Sequence, residues 1–228
     1  MTNRLGELES AIRGLTIPVL GQYPRPWMTE IDNPSEADIF VIGANQATAY
    51  APQIIGSHDR FLDAHFNRNG LNCRALYEEV RGKPSLTRSH SDTFVDMLKA
   101  AGAEKLIETN AVCFSTPNAE DLKRPSNKLG LEKGVDIFRE LVRIISPKVA
   151  IVHGSGTVKM FKKYHGISLP DPPQDSFQIR RKAVGSTMFI VIPTLGAPAV
   201  NKWHSWRSSY LQSLAGEVAT LVGTQRGG

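Results

Sequence analysis

The chain has 228 residues, 41% of them hydrophobic, and a formal net charge of +5. That length admits one large or two small domains, and no Gly/Ser- or Pro-rich linker divides it, so a single domain over residues 1–228 is expected. The modest positive excess leans toward a polyanionic partner, and no apolar run approaches the ~18 residues that a membrane span needs.

The chain opens with Met1-Thr2-Asn3-Arg4, then the amphipathic stretch Leu5 to Ile12, which has none of the layout of a secretory leader. A soluble, cytoplasmic protein is therefore expected. Strand signals then alternate with helical ones. The first strand is read at Ile39 to Ile42. A helix follows around Asp59–Asn69, with Phe61, Leu62, His65 and Phe66 on one face and Gly70 as its stop. Ser91-Asp92 is read as the cap of a helix that turns Phe94, Val95, Leu98 and Ala101 to the core before Gly102 ends it. The second strand spans Leu106 to Val112. Val135, Phe138, Leu141, Val142 and Ile145 share a helical face, and Pro147 forbids continuation. The third strand, Val149 to Val152, turns at Gly154-Ser155-Gly156 into a helix. Met188 to Ile192 is the fourth strand, and Ser208 to Leu221 the last helix. Nearly continuous Val/Ile/Ala runs between helices indicate a parallel sheet buried on both faces. The expected fold is therefore α/β, a three-layer αβα sandwich around a mainly parallel four-stranded sheet.

Long irregular stretches fall at residues 18–34, 46–57, 115–131, 169–178 and 196–205. Three of them directly follow the first, second and fourth strands, which is the edge where open α/β sheets bind ligands. Small polar groups stand at those strand ends: Asn45 in Gly43-Ala44-Asn45-Gln46-Ala47, Asn110 in Glu108-Thr109-Asn110, and Thr194 after Pro193. Such groups carry protons poorly but form good hydrogen bonds, so a pocket made from them should read a neutral polar ring or position a water. Cys73 and Cys113 make no CxxC zinc pair and are too few for an iron–sulfur cluster, which takes about four thiolates. They read as buried free thiols, and the His and acidic residues show no metal-ligand spacing. His153-Gly154-Ser155-Gly156 fits neither G-x-S-x-G nor G-x-G-x-x-G and reads as a tight turn, with His153 a strand-end packing residue.

In this order and on these element ends, the motifs resemble the uracil-DNA glycosylase superfamily over roughly residues 35–212. Gly43-Ala44-Asn45-Gln46-Ala47 is similar to its first motif, G-x-N-P-G in the mismatch-specific and single-strand-selective branches. Glu108-Thr109-Asn110-Ala111-Val112 resembles the strand whose Asn reads the base. Pro193-Thr194 with Pro198-Ala199-Val200-Asn201-Lys202 resembles the second motif, where H-P-S-P leads a loop that wedges into DNA and P-x-A-N-K follows. Gln46 and Ala47 replace Pro-Gly, and Ile192 stands where many members have a catalytic His.

The resemblance implies a monofunctional glycosylase that needs no metal or cofactor, acts on DNA as a monomer, and is associated with the nucleoid in use. Asn45 would hold the attacking water and Thr194 would supply a donor to the base, by its hydroxyl or by a nearby backbone N–H. His204 is a further candidate for that donor. Gly43, Gln46 and Ile192 would line the base pocket and Asn110 would read uracil by a bidentate match. The family's stacking aromatic lies thirteen residues after the first-motif position, where His58 stands, with Phe61 and Tyr50 as rivals. Phe61 also opens the core stripe, and Tyr50 could block the thymine methyl. DNA contacts would come from Pro193, Asn201, Lys202, Trp203, His204 and Arg207. Further phosphate contacts are expected from Lys123, Arg124 and Lys128, from Lys159, Lys162 and Lys163, and from Arg180, Arg181 and Lys182. The competing reading is a non-catalytic nucleic-acid or nucleobase-binding module of the same fold, for which Ile192 is the main argument.

Overall fold

In the computed structural model, residues 3–175 and 178–223 are described. The sheet has five strands: β1 (Ile39–Gln46), β2 (Leu106–Ser115), β3 (Val149–His153), β4 (Arg180–Val184) and β5 (Thr187–Ile192). Their order is β2-β1-β3-β5-β4, with β2, β1, β3 and β5 parallel and β4 antiparallel at the edge. The four expected strands are present, and β4 is an addition to them. Its residues Arg180-Arg181-Lys182-Ala183 are exposed, so it lacks the apolar pattern that marks the others. It pairs with β5 through a two-residue turn in which Gly185 takes φ +59°. Positive charge along an edge strand also discourages pairing with another chain.

Alternating side chains of the parallel strands serve two cores. Phe40 and Ile42 point to one, with Trp27, Phe61, Phe138, Phe161 and Phe189. Ile39 and Val41 point to the other, with Phe94, Ile151, Ile190, Ile192 and Leu214. The first is covered by α1 (Arg4–Leu15) and α6 (Lys128–Ile145), and the second by α5 (Leu86–Ala100) and α8 (His204–Gly223). The short helices α2 (Pro52–Ile55), α3 (His58–His65), α4 (Cys73–Arg81) and α7 (Ser155–Met160) complete the layers. Among the described residues no helix is long and apolar enough to cross a membrane.

Several boundaries differ from the sequence reading. Helix α5 begins six residues earlier than Ser91-Asp92 suggests. Its N-cap is Ser85, whose hydroxyl accepts the Arg88 N–H at 3.1 Å, and Ser91 lies buried along the helix face. Helix α3 stops at His65 because Asn67 and Asn69 take left-handed φ of 49° and 55° ahead of Gly70. Helix α8 starts at His204, continuing a 3₁₀ turn over Ala199–Trp203. The expected stop of α6 holds: Ser146 takes φ 54° and Pro147 follows. Strands β1 and β2 run past their apolar cores to Gln46 and Ser115, with an irregularity between Asn45 and Gln46. The extension of β1 carries Asn45 and Gln46, whereas Asn110 lies within β2.

Candidate functional site

The order in which parallel strands are added reverses around β1. β2 lies on one side and β3 on the other, reached by crossovers on opposite faces, which leaves a crevice at the strands' C-terminal ends. A cleft of about 940 Å³ occupies it, within the usual size of a small-molecule site. Gly43, Asn45, Gln46, Asn110, Pro193, Thr194, Lys202 and Trp203 all line it, so the three strand-end motifs meet in one place.

Asn45 is half-buried and its amide orientation is fixed. Nδ2 donates to Thr116 Oγ1 at 2.8 Å, to the Gln46 carbonyl at 3.2 Å and to the Thr116 carbonyl at 3.4 Å. Two of these partners are carbonyls that only accept, and the Thr116 hydroxyl spends its proton on the Asn118 carbonyl at 2.7 Å. The nitrogen must face them, so Oδ1 is left as the acceptor for a cleft ligand or water.

Asn110 pairs with Gly43 across β1 and β2. A Cβ on Gly43 would sit 2.8 Å from Asn110 Oδ1 and 3.1 Å from His153 Nε2. Glycine is therefore required there by close approach, and it lets the Asn110 amide and the His153 ring converge. Among the described residues nothing hydrogen-bonds the Asn110 side chain, whose polar atoms remain open to the cleft. Thr194 accepts the Gly196 N–H on its hydroxyl at 3.0 Å, which leaves its own O–H free to donate.

Gln46 is buried: Nε2 donates to the Arg25 carbonyl, and Oε1 accepts the Ser115 hydroxyl at 3.4 Å. It holds the residue 18–34 segment against the strand ends rather than presenting itself to a ligand. The tight turn after β3 is present, with Gly154 at φ +89° and its N–H on the Ile192 carbonyl at 2.9 Å.

Four expected pocket residues lie elsewhere. His58 stacks on Tyr23 at 5.6 Å with Nε2 2.9 Å from the Thr16 hydroxyl. Phe61 is fully buried between Tyr23, 4.9 Å away, and His65, 4.2 Å away. Phe61 belongs to the core beside α1, because α3 turns its apolar face inward, and half-buried His58 flanks it at the helix start. Ile192 is fully buried in the second core, so its side chain cannot take the role of a pocket histidine. Tyr50 is buried behind Arg25, its ring centroid 4.7 Å from the guanidinium carbon. Tyr77 of α4, which the motif spacing did not indicate, lines the cleft, as Trp203 and Trp206 do.

His153 is the other correction. It lines the cleft beside Gly43 and Asn110, and it pairs directly with Ile192 across β3 and β5. An imidazole thus emerges one strand away from the position that Ile192 occupies. Its Nδ1 is shielded from solvent without a partner. Burial, with Arg88 nearby, pushes its pKa down to about 4, so the ring is neutral at pH 7 and offers one N–H donor. Its place at the end of a parallel strand was the signal available in the sequence.

The cleft floor carries a charged network. Arg88 binds Glu108 and, at 2.8 Å, Asp92, which also takes Arg74 at 2.6 Å. Burial raises the Glu108 pKa, and Arg88 offsets only part of that rise. The ion pair of Glu108 with Arg88 fixes the guanidinium against β2. Among the described residues no group of three His, Cys, Asp or Glu side chains could hold a metal ion.

The expected DNA-facing loop is partly built inward. Trp203 is 4% exposed and its indole N–H donates to the Thr194 carbonyl at 2.9 Å, so it anchors the loop instead of projecting from it. Trp206 packs on it at 5.2 Å and lines the cleft. Asn201, Lys202 and His204 are exposed, with His204 Nδ1 2.9 Å from the Asn201 carbonyl, while Arg207 is half-buried. Other basic residues are already engaged: Lys123 with Glu120, Arg124 with Asp121 at 2.7 Å, and Arg181 with Glu217 at 2.6 Å.

His65 and His153 make stability depend on pH. Both have pKa values lowered from 6.5 to about 4 by burial, so the unfolded chain binds protons in that window and the folded one does not. Stability is complete above pH 6.5 and falls as pH drops toward 4. Fully buried His65 alone should cost about 2 kcal/mol by pH 5. Denaturant titrations at pH 7 and 5 measure this, and equal stabilities would mean that the folded imidazoles are protonated.

No family model matches the sequence, and no curated protein matches it. The functional reading therefore rests on the cleft and on the motif resemblance.

Proposed function

We propose that the protein is a DNA glycosylase that hydrolyses the N-glycosidic bond of uracil, or of a related deaminated base, and leaves an abasic site. The observation that carries this reading is the pair of amides on adjacent strands, Asn45 near the end of β1 with Oδ1 available and Asn110 within β2 unpartnered, opening into one cleft. The base leaves the helix stack at a cost of a few kcal/mol and enters the cleft. The Asn110 NH₂ donates to uracil O4 and its oxygen accepts N3–H. Asn45 Oδ1 holds a water against C1′. As the C1′–N1 bond breaks, the electron pair stays with the base, the sugar becomes oxocarbenium-like, and the water oxygen closes on C1′. The proton that the water loses ends on the released base. An amide is no general base near neutral pH, so the rate comes from stabilising separated charge. One preorganised donor is typically worth ~100–1000-fold, and neutral His153 and the Thr194 hydroxyl are the donors available where Ile192 supplies none.

The test is incubation with an oligonucleotide containing one uracil, followed by alkali. Strand cleavage at the uracil supports the reading. Intact strands with retained uracil-DNA binding would favour the non-catalytic module, for which the buried Ile192 speaks.

Lys202 stands exposed on the cleft rim. Lys202→Ala should weaken DNA binding and reduce the log–log salt slope by roughly one unit. An unchanged slope would move the phosphate path away from this rim.

A further inference from the structure

Arg25 is a buried cation that the amide pair leaves unexplained. It is 6% exposed, lines the cleft, and sits on the segment between α1 and β1. Its guanidinium carbon lies 4.7 Å from the Tyr50 ring centroid and 5.7 Å from that of Tyr77. Nε and Nη1 are shielded from solvent and have no hydrogen-bond partner. Among the described residues no carboxylate is paired with it. Glu108, on the same cleft, is bound by Arg88. The segment is held instead by a neutral amide, Gln46, which takes the Arg25 carbonyl. Buried charges are ordinarily paired, because an unpaired one keeps its full desolvation penalty. Two ring faces and a hydrogen bond with the Tyr50 side chain satisfy the guanidinium in part, but they leave Nε and Nη1 without acceptors.

We propose that Arg25 is the anion-holding group of the cleft, taking up the negative charge that appears on the base ring as its bond to C1′ breaks. The proposal rests on the glycosylase reading for its substrate. The charge generated is delocalised over the base nitrogen and its ring oxygens, and a permanently ionised, planar, delocalised cation is the side chain suited to it. The surrounding neutrality then has a purpose, since a carboxylate beside Arg25 would cancel the field before a ligand arrived. Arg25 favours the charge-separated state over the neutral bound base, and that differential binding is what accelerates a bond cleavage.

The test uses free bases, so it does not depend on excision. Uracil, 5-fluorouracil and 5-nitrouracil, which ionise progressively more easily, are titrated calorimetrically into the protein at several pH values to give separate affinities for neutral and ionised forms. The wild type should bind the ionised forms at least about 10-fold more tightly. Arg25→Gln should equalise the two forms while neutral uracil still binds, and Arg25→Lys should keep part of the preference. The melting temperature of Arg25→Gln should stay level or rise, because an unpaired buried charge is removed. Absence of anion preference in the wild type, or its survival in Arg25→Gln, would overturn the proposal. The uracil-oligonucleotide assay decides the glycosylase reading separately: anion preference without excision would keep Arg25 as the anion group of a binding module and discard the reaction.

Discussion

Asn110→Asp should lower uracil excision by at least ~10³-fold while leaving the melting temperature nearly unchanged. The substituted amide makes no hydrogen bond to the described protein, so its loss breaks nothing in the fold. The chemistry changes entirely. A carboxylate accepts only, so it would set a lone pair against uracil O4 where a donor is required. It would also stand beside His153, both groups approaching the same point above Gly43. A new negative charge there should raise the imidazole pKa from about 4, and the variant's activity should become sensitive to pH between 4 and 7 in a way the wild type's is not. Cytosine offers an N4 donor to the carboxylate, but its N3 still lacks one unless the carboxyl is protonated, so trace cytosine excision should strengthen as pH falls. Near-normal uracil excision, or an unfolded variant, would remove Asn110 as the base reader and require the cleft to be redrawn around Tyr77 and His153.

The alternation of apolar strands with capped helices was sufficient to read the layered α/β fold, because burial on both faces leaves an unmistakable Val/Ile pattern in β1, β2, β3 and β5. Edge strand β4 escaped because one-sided, solvated strands carry no such pattern, and its Arg and Lys residues read as a loop. Within the site, Asn45, Asn110 and Thr194 were legible and all reach the cleft, Asn45 and Thr194 from strand ends and Asn110 from within β2, which runs on to Ser115. Residues assigned by counting along the chain were not. His58 falls at the spacing of a stacking aromatic, yet the turn from Gln46 to Ser57 delivers it to the α1 side of the sheet. Arg25 and Tyr77 were invisible for the opposite reason. They come from segments with no strand signal and meet the cleft only through tertiary packing. Ile192 illustrates a third limit: a missing histidine at one strand end says nothing of an imidazole supplied by the neighbouring strand, as His153 is here.

Asn45→Ala should reduce turnover on uracil DNA by at least ~100-fold with DNA affinity little altered, because water positioning acts in the transition state rather than in binding. The side chain does two things that must be separated. Nδ2 ties β1 to Thr116, and Oδ1 faces the cleft. Removing both could loosen the strand end, so the melting temperature is measured alongside turnover. Thr116→Val is the companion variant. It keeps the Asn45 oxygen but removes the 2.8 Å bond that helps to orient it, leaving the carbonyls of Gln46 and Thr116 as tethers. If Asn45 acts by holding water, Thr116→Val should fall between wild type and Asn45→Ala in turnover, with an unchanged KM. If Asn45 merely closes the turn after β1, the two variants should lose stability in step and lose turnover only to that extent. Wild-type turnover in Asn45→Ala would take the residue out of the mechanism and leave charge stabilisation by Arg25, His153 and Thr194 to account for the whole rate.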